Sequence, residues 1–215
     1  MKIVVTGFEP FGGEKMNPAY EAVKLLPDVI AGAEVVKVEI PVVTVKDVAA
    51  VEAAIDEHRP DVVFCIGQAG GRTHVTPEFV GINYRNYRIP DNDGNQVVGC
   101  IAEGGPDAYF AKLPVNAMVD AAKAKGIPAA VSYTAGTYCC NEVMYGLLHC
   151  IATKHPEMRG GFIHVPYATE QAVNLSATTP SMTLAMIADA LETMIECALT
   201  HEGEDASAIG SGTEQ

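Results

Sequence analysis

The chain has 215 residues, of which 48% are hydrophobic, and its 27 acidic and 14 basic residues give a formal net charge of −13. A chain of this length can bury a substantial core, so residues 1–200 are predicted to form a single domain. The charge argues against nucleic acid and anionic membranes as partners, because both need a clustered basic surface. The same charge balance favours a small or neutral substrate. No apolar run is long enough to span a bilayer, so we expect a soluble protein.

Apolar, β-rich runs alternate along the chain with patterns that are typical of helices. The strand-like runs cover residues 2–6, 33–41, 61–66, 129–133 and 161–165. The helical patterns cover residues 18–26, 46–58, 106–125, 140–155 and 181–200. This alternation predicts an α/β fold: a three-layer α/β/α sandwich with a mostly parallel twisted sheet and helices on both faces.

Local signals mark helix starts and the end of the domain. Asn17 before Pro18 predicts a helix with Asn as its N-cap and Pro at its first position, and Pro106 is expected to open another helix in the same way. Residues 201–215 are acidic and rich in Gly and Ser, without an apolar period. We therefore predict that they form a disordered tail.

Two predicted strands run into glycine-rich loops, at residues 6–13 and 66–72. Neither loop has the glycine spacing of a phosphate loop or a dinucleotide-binding loop, so nucleotide binding has little support. Tight turning alone accounts for many such glycines.

Two phenylalanines in the first loop, Phe8 and Phe11, have no role in a turn. They either pack into the core or line an apolar pocket at the carboxyl edge of the sheet. Asn17 and Gln68 would bring neutral hydrogen-bonding groups to the same place. Such a pocket would suit a small, flat, uncharged amide.

Residues 73–98 interrupt the α/β alternation. The segment is polar, aromatic and rich in turn residues, with a strong turn signal at residues 90–95. Functional residues often lie on excursions of this kind from an α/β core.

The run from Ser132 to Asn141 predicts a strand, a tight turn and a cysteine, Cys140, at a helix start. The free N–H groups of a first helical turn favour the thiolate, which is the form of a cysteine nucleophile. His164 is the one histidine in the next strand-like run and a candidate base. Since parallel strands bring their carboxyl ends together, the two side chains could meet. The alternative is that both are structural core residues.

The six cysteines lie mostly within apolar runs, and the first residues form a strand-like pattern in place of a signal peptide. A reducing, cytoplasmic location fits this pattern. No C-x-x-C, His-x-His or H-E-x-x-H motif is present, so we expect no metal ligands and no cofactor.

Taken together and in this order, these motifs resemble the pyroglutamyl peptidase I family, also called pyrrolidone-carboxylate peptidases, which are cysteine peptidases. The resemblance covers nearly the whole chain and is carried by residues 5–13, 67–72, 76–78, 88–92, 132–141 and 161–166. It implies an α/β/α fold and removal of an N-terminal pyroglutamyl (5-oxoprolyl) residue from peptides through a thioester. It also implies a cytosolic homo-oligomer, a tetramer or a dimer.

The resemblance also implies roles for individual residues. Cys140 is expected to be the nucleophile, His164 the general base and Glu78 the acid that orients it, with Arg88 near the oxyanion. Four residues are expected to wall the ring pocket, namely Phe8, Phe11, Ile89 and Tyr138. Two more, Asn17 and Gln68, are expected to be polar contacts there.

The chain departs from the usual family pattern in two places. Tyr138 and Cys139 stand where a Phe-Val pair usually precedes the nucleophile, and Val42 stands where threonine is common. These changes affect pocket detail, and the Tyr138 hydroxyl needs a partner if it is buried.

Three other functions remain open from the residues alone. The chain could be a cysteine hydrolase or transferase that acts on another small amide. It could be a nucleoside phosphorylase-like enzyme, for which Arg72 is the only hint of a phosphate site. It could also be a metabolite-binding module in which Cys140 is structural.

Overall fold

The computed structural model describes residues 1–202 and Asp205. The rest of the tail predicted for residues 201–215 lies outside the described residues. Asp205 itself contacts the domain, since its carboxylate accepts a hydrogen bond from the backbone N–H of Ala117 at 3.0 Å.

Ten strands and six helices make up the described part of the chain. The strands are β1 (Lys2–Phe8), β2 (Val29–Ile30), β3 (Ala33–Ile40), β4 (Val62–Gln68), β5 (Thr76–Pro77), β6 (Val80–Ile82), β7 (Arg85–Asn86), β8 (Val98–Gly99), β9 (Ala108–Phe110) and β10 (Arg159–Val165). The helices are α1 (Pro18–Leu25), α2 (Lys46–His58), α3 (Val115–Ala124), α4 (Cys139–Lys154), α5 (Thr169–Ala172) and α6 (Leu184–Thr200).

Six strands form the central sheet in the order β2-β3-β1-β4-β10-β5. The four inner strands are parallel, while β2 and β5 pair antiparallel at the two edges. β1, β4 and β10 are buried along almost their whole length because helices cover both faces of the sheet. The predicted mostly parallel α/β sheet is therefore confirmed.

Alternation of side chains along each strand divides the core into two halves. Val4, Val63 and Phe162 face α2 and α4, whereas Ile3 and Ile163 face α1, α3 and α6. The predicted three-layer sandwich follows from this division. Among the described residues, no helix combines the length and the apolarity needed to cross a membrane.

The local predictions had mixed outcomes. Asn17 caps α1, accepting the backbone N–H of Ala19 at 3.1 Å, as predicted. The helix predicted to open at Pro106 is wrong: residues 108–110 form β9, which pairs with β6, and α3 begins only at Val115. Residues 129–133 do not join the central sheet and make only isolated bridges, one of them between Glu78 and Ser132.

Candidate active site

The carboxyl ends of β1, β4 and β10 meet the first turn of α4 at one edge of the sheet. Cys140 is the second residue of α4, and no side chain caps the start of this helix at Tyr138. Backbone N–H groups of the first turn therefore remain available beside the cysteine. The prediction of a cysteine at a helix start is confirmed.

Gly67 brings Cys140 and His164 together. A Cβ atom at Gly67 would lie only 3.0 Å from Cys140 Sγ and 2.6 Å from the Phe162 ring. Gly67 pairs in register with His164 on β10. Phe162 and His164 share the face that α4 covers, with ring centroids 4.9 Å apart. The thiol and the imidazole therefore lie over neighbouring strand positions on the same face of the sheet.

Glu78 lies against the other side of the imidazole. Its Oε1 is 2.7 Å from His164 Nδ1, and both side chains are almost fully buried. The backbone N–H of Glu78 donates to the Phe162 carbonyl at 2.9 Å, which fixes the residue next to β10. An ionised carboxylate can only accept hydrogen bonds, so Nδ1 carries the proton and Nε2 is left as a base.

Arg72 is a member of this cluster that sequence reasoning missed. Its Nη1 donates to Glu78 Oε1 at 2.7 Å and to Thr76 Oγ1 at 2.6 Å, and its Nη2 donates to the Thr134 carbonyl at 3.1 Å. The guanidinium is thus engaged with a carboxylate, which argues against the phosphate site that Arg72 had suggested. The only signal for this role was a single arginine six residues before Glu78.

Burial controls the ionisation of the site. Burial raises the pKa of the Cys140 thiol to about 12, and the Glu78 carboxylate adds to the rise. Burial also lowers the pKa of His164 below its ordinary value, against the opposing effect of Glu78. Burial therefore favours the neutral thiol and the neutral imidazole over their charged forms. Desolvation thus opposes the thiolate that the helix start favours.

The ionisation of Glu78 follows the opposite balance. Burial acts to raise the pKa of its carboxyl, but hydrogen bonds from His164 and Ser132 and the charge of Arg72 hold that pKa below its ordinary value. Glu78 is therefore a carboxylate at neutral pH. It can both orient the imidazole and stabilise its protonated form.

A small pocket opens beside Cys140, with about 280 Å³ of empty space. Its lining is aromatic, aliphatic or neutral: Phe8, Phe11, Asn17, Val42, Gln68, Tyr138, Cys139 and Cys140. The Phe11 and Tyr138 rings lie 6.3 Å apart, so they form one continuous wall. Val42 makes this wall more apolar than the threonine common in the family would.

The two predicted polar residues differ in what they can offer to a ligand. The Asn17 amide is already used, since its Nδ2 donates to the Glu9 carbonyl at 2.9 Å while its Oδ1 caps α1. Gln68 accepts a hydrogen bond from Gln171 through Oε1 at 3.0 Å, which leaves its Nε2 as a donor group.

Arg88 and Ile89 lie outside the lining of this pocket. Arg88 is exposed, and Ile89 is only half-buried. Their segment connects to the pocket through Tyr138, whose hydroxyl donates to the Pro90 carbonyl at 3.1 Å. That bond supplies the partner that the Tyr138 hydroxyl requires.

No group of three or more His, Cys, Asp or Glu side chains is arranged to hold a metal ion within the described part of the chain.

A family model and individual relatives of known name place the chain in the same family. The family model described as pyroglutamyl peptidase matches residues 1–201. A pyrrolidone-carboxylate peptidase from Finegoldia magna is 53% identical, over 99% of this chain and 100% of that protein. One from Enterococcus faecalis is also 53% identical, with the same coverage.

Solved structures agree with the sequence comparisons. Pyroglutamyl peptidase I from Bacillus amyloliquefaciens superposes with a TM-score of 0.90 at 49% identity, over 94% of this chain and 98% of that one. Pyrrolidone carboxyl peptidase from the hyperthermophile Pyrococcus furiosus gives a TM-score of 0.88 at 41% identity, over 93% and 98% of the two chains. The chain therefore belongs to the pyroglutamyl peptidase family.

Proposed function

We propose that this protein is a cysteine exopeptidase that removes an N-terminal pyroglutamyl residue from peptides. The observation that carries the proposal is the placement of Cys140 at a helix start, between the His164–Glu78 pair and a small uncharged pocket. The relatives named above bear the name of this activity.

The first half of the reaction forms a thioester. Cys140 Sγ attacks the carbonyl carbon of the pyroglutamyl residue while its proton passes to His164 Nε2. Because burial raises the pKa of the thiol, this proton transfer accompanies the attack in the proposed reaction. The tetrahedral intermediate then collapses, the C–N bond breaks, and His164 gives its proton to the leaving amine.

The second half of the reaction releases the product. A water molecule gives a proton to His164 Nε2 and attacks the thioester carbonyl. The C–S bond breaks, the sulfur takes the proton back, and free pyroglutamate leaves. Glu78 holds the imidazole in the Nδ1–H form throughout, and Arg72 holds Glu78.

The oxyanion is held by backbone N–H groups at the start of α4. Each donor of this kind typically contributes about 3–4 kcal/mol to lowering the barrier. The family resemblance also assigns Arg88 to this region. The Arg88 side chain is exposed and lies outside the pocket lining.

The pocket explains selection of the substrate. The pyroglutamyl ring is a neutral lactam, and the pocket lining contains no charged side chain. An ordinary peptide N-terminus would have to bury an unpaired ammonium group there, which is costly. The pocket therefore accepts a blocked N-terminus and rejects a free one.

Two further properties belong to the same proposal. The family resemblance supports a cytoplasmic enzyme that forms a dimer or tetramer. Sedimentation analysis of the purified protein would test the assembly, and a monomer at micromolar concentration would contradict it.

The proposed activity is tested by release of a chromogenic amine from pyroglutamyl amide under reducing conditions. Wild type is expected to release the amine, and Cys140→Ser is the matched control that keeps size and removes the thiol. No release by the folded wild-type protein would overturn the proposal. Equal release by Cys140→Ser would remove the nucleophile assignment.

A further inference from the structure

A relay of two side-chain hydrogen bonds runs from the backbone after β10 to the pocket. The Ala168 N–H donates to Gln171 Oε1 at 3.0 Å, and Gln171 Nε2 donates to Gln68 Oε1 at 3.0 Å. Gln68 lines the pocket, whereas Gln171 is buried behind it and does not.

Chemistry fixes the direction of this relay. A backbone N–H can only donate, so the atom of Gln171 that faces Ala168 is the oxygen. The nitrogen of Gln171 must then face Gln68, and Gln68 must accept that hydrogen bond with its side-chain oxygen. The amide of Gln68 is therefore held in one of its two orientations, with Nε2 as its remaining group.

The origin of the relay is itself fixed. Ala168 forms a bridge with Met182, and the neighbouring backbone bonds Thr169 N–H to Met182 O at 3.1 Å and Met182 N–H to Tyr167 O at 2.9 Å. Gln171 is only 5% exposed, so water does not compete strongly for its amide.

We propose that Gln171 is a positioning residue for lactam recognition: it holds the Gln68 amide so that Nε2 donates to the ring carbonyl of the substrate. This inference rests on the proposed function. A ring carbonyl can only accept a hydrogen bond, so a Gln68 amide turned the other way would set oxygen against oxygen. Gln171 thereby makes the pocket selective for an acceptor at that position of the ring.

Two substitutions separate this role from a structural one. Gln171→Glu keeps an oxygen for Ala168 but offers only a second oxygen to Gln68. The Gln68 amide then rotates by half a turn, so that its Nε2 faces the carboxylate and its Oε1 faces the pocket. Gln171→Met has a similar shape but loses the bond to Ala168 and leaves Gln68 free to rotate. If Gln171 only capped the short helix α5, Met would be the more harmful substitution. If it orients Gln68, Glu is the more harmful one.

The experiment measures kcat and KM for pyroglutamyl amide on wild type, Gln171→Glu, Gln171→Met and Asn174→Asp. Asn174→Asp is the matched control, because it adds a negative charge on an exposed residue in the same segment. We expect Gln171→Glu to lower kcat/KM by about 100-fold, since a buried acceptor then faces an acceptor. Most of the loss should lie in KM, because the ring contact exists before and during the reaction.

A binding measurement accompanies the kinetics. Protection of Cys140 against iodoacetamide by 2-pyrrolidinone should be weakened in Gln171→Glu and largely kept in Gln171→Met, whose kcat/KM should fall by no more than about 10-fold. A Gln171→Glu enzyme with wild-type kcat/KM, or a larger loss in Gln171→Met than in Gln171→Glu, would overturn the inference while leaving the proposed function standing. A wild-type enzyme without activity would overturn both.

Discussion

Two adjacent cysteines at the start of α4 have different surroundings. Cys139 is 1% exposed, and its sulfur lies 3.2 Å from the Tyr87 hydroxyl. Cys140 is less buried and lies over Gly67, beside His164. A first helical turn points consecutive side chains in different directions, so only Cys140 is beside the base.

This difference predicts that the two thiols are not interchangeable. Cys140→Ala should abolish release from pyroglutamyl amide, because alanine has no nucleophilic atom. Cys139→Ala should retain most of the activity, because Cys139 is buried and away from the base. Steady-state assays on both variants, with circular dichroism to verify folding, decide the matter. An inactive Cys139 variant beside an active Cys140 variant would reverse the assignment.

The resting ionisation of the site gives a prediction about pH. Burial raises the pKa of the Cys140 thiol to about 12 and lowers that of His164, so both groups are neutral near pH 7. Alkylation by iodoacetamide requires the thiolate. Its rate at Cys140 should therefore rise about tenfold per pH unit up to about pH 10, without an earlier plateau. A plateau below pH 8 would show a preformed thiolate–imidazolium pair instead.

Arg72 gives a prediction that distinguishes positioning from binding. Its charge helps to lower the pKa of both Glu78 and His164. In Arg72→Met both pKa values should rise, so protonation of the carboxylate and of the base begins at higher pH. The acidic limb of the kcat/KM profile should move to higher pH, with a lower kcat.

Arg59→Met is the matched control for Arg72→Met, because Arg59 is an exposed arginine at the end of α2. Its pH profile should coincide with that of wild type. An acidic limb that stays in place in Arg72→Met would exclude the positioning role of Arg72.

Among the secondary-structure elements, the sequence signals that predicted the structure correctly were long apolar runs and local helix caps. The apolar runs of β1, β4 and β10 and the Asn17 cap of α1 follow from composition and from one residue type at one position. The helix predicted from Pro106 failed because residues 108–110 pair with β6, a contact that helical periodicity does not include. Tertiary pairing outweighed a local start signal there.

The residues of the site were even harder to predict from local sequence signals, because their contacts are between distant parts of the chain. The strands and α4 place Cys140 and His164 at one edge of the sheet, an arrangement that the alternation allowed but did not require. Glu78 came only from the family resemblance, because it bonds to a histidine 86 positions away. Gln171 meets Gln68 across 103 positions and carried no local signal at all.

The meeting of β4 with α4 predicts a strict size limit at Gly67. A methyl group there would lie 3.0 Å from Cys140 Sγ and 2.6 Å from the Phe162 ring, and both sit on buried elements. Gly67→Ala should lower stability by about 1–3 kcal/mol through overpacking and should reduce kcat further by displacing the thiol. Urea unfolding and kcat would be measured together. Wild-type kcat in this variant would show that the thiol has more room than the structure gives it.

For the whole molecule, the topology explains why one edge of the sheet carries the chemistry. The parallel pairing of β4 with β10 brings Gly67 beside His164. The antiparallel pairing of β5 with β10 brings Glu78, the residue after β5, beside β10. α4 then packs on that face with its N-terminus at the strand ends. Elements from distant parts of the chain thus form a small pocket lined by uncharged side chains.

Discrimination between substrates is the most direct test of whether the pocket recognises the lactam ring. A prolyl amide keeps the five-membered ring but loses the ring carbonyl and gains a charged amine. A site built to hydrogen-bond a group rejects an analogue without it by roughly 10⁴–10⁵, so prolyl amide should be essentially inert on wild type. Phe11→Ala removes one wall of the pocket and admits water, so KM for pyroglutamyl amide should rise and the discrimination should shrink.

Phe110→Ala is the matched control, because Phe110 is 67% exposed and packs on Phe79, away from the pocket. The values of kcat/KM for pyroglutamyl, prolyl and glutaminyl amides would be measured on wild type and both variants. Phe110→Ala should keep the wild-type ratios, since it leaves the lining intact. Comparable values for prolyl and pyroglutamyl amides on wild type would refute a pocket that recognises the lactam, even with Cys140 established as the nucleophile.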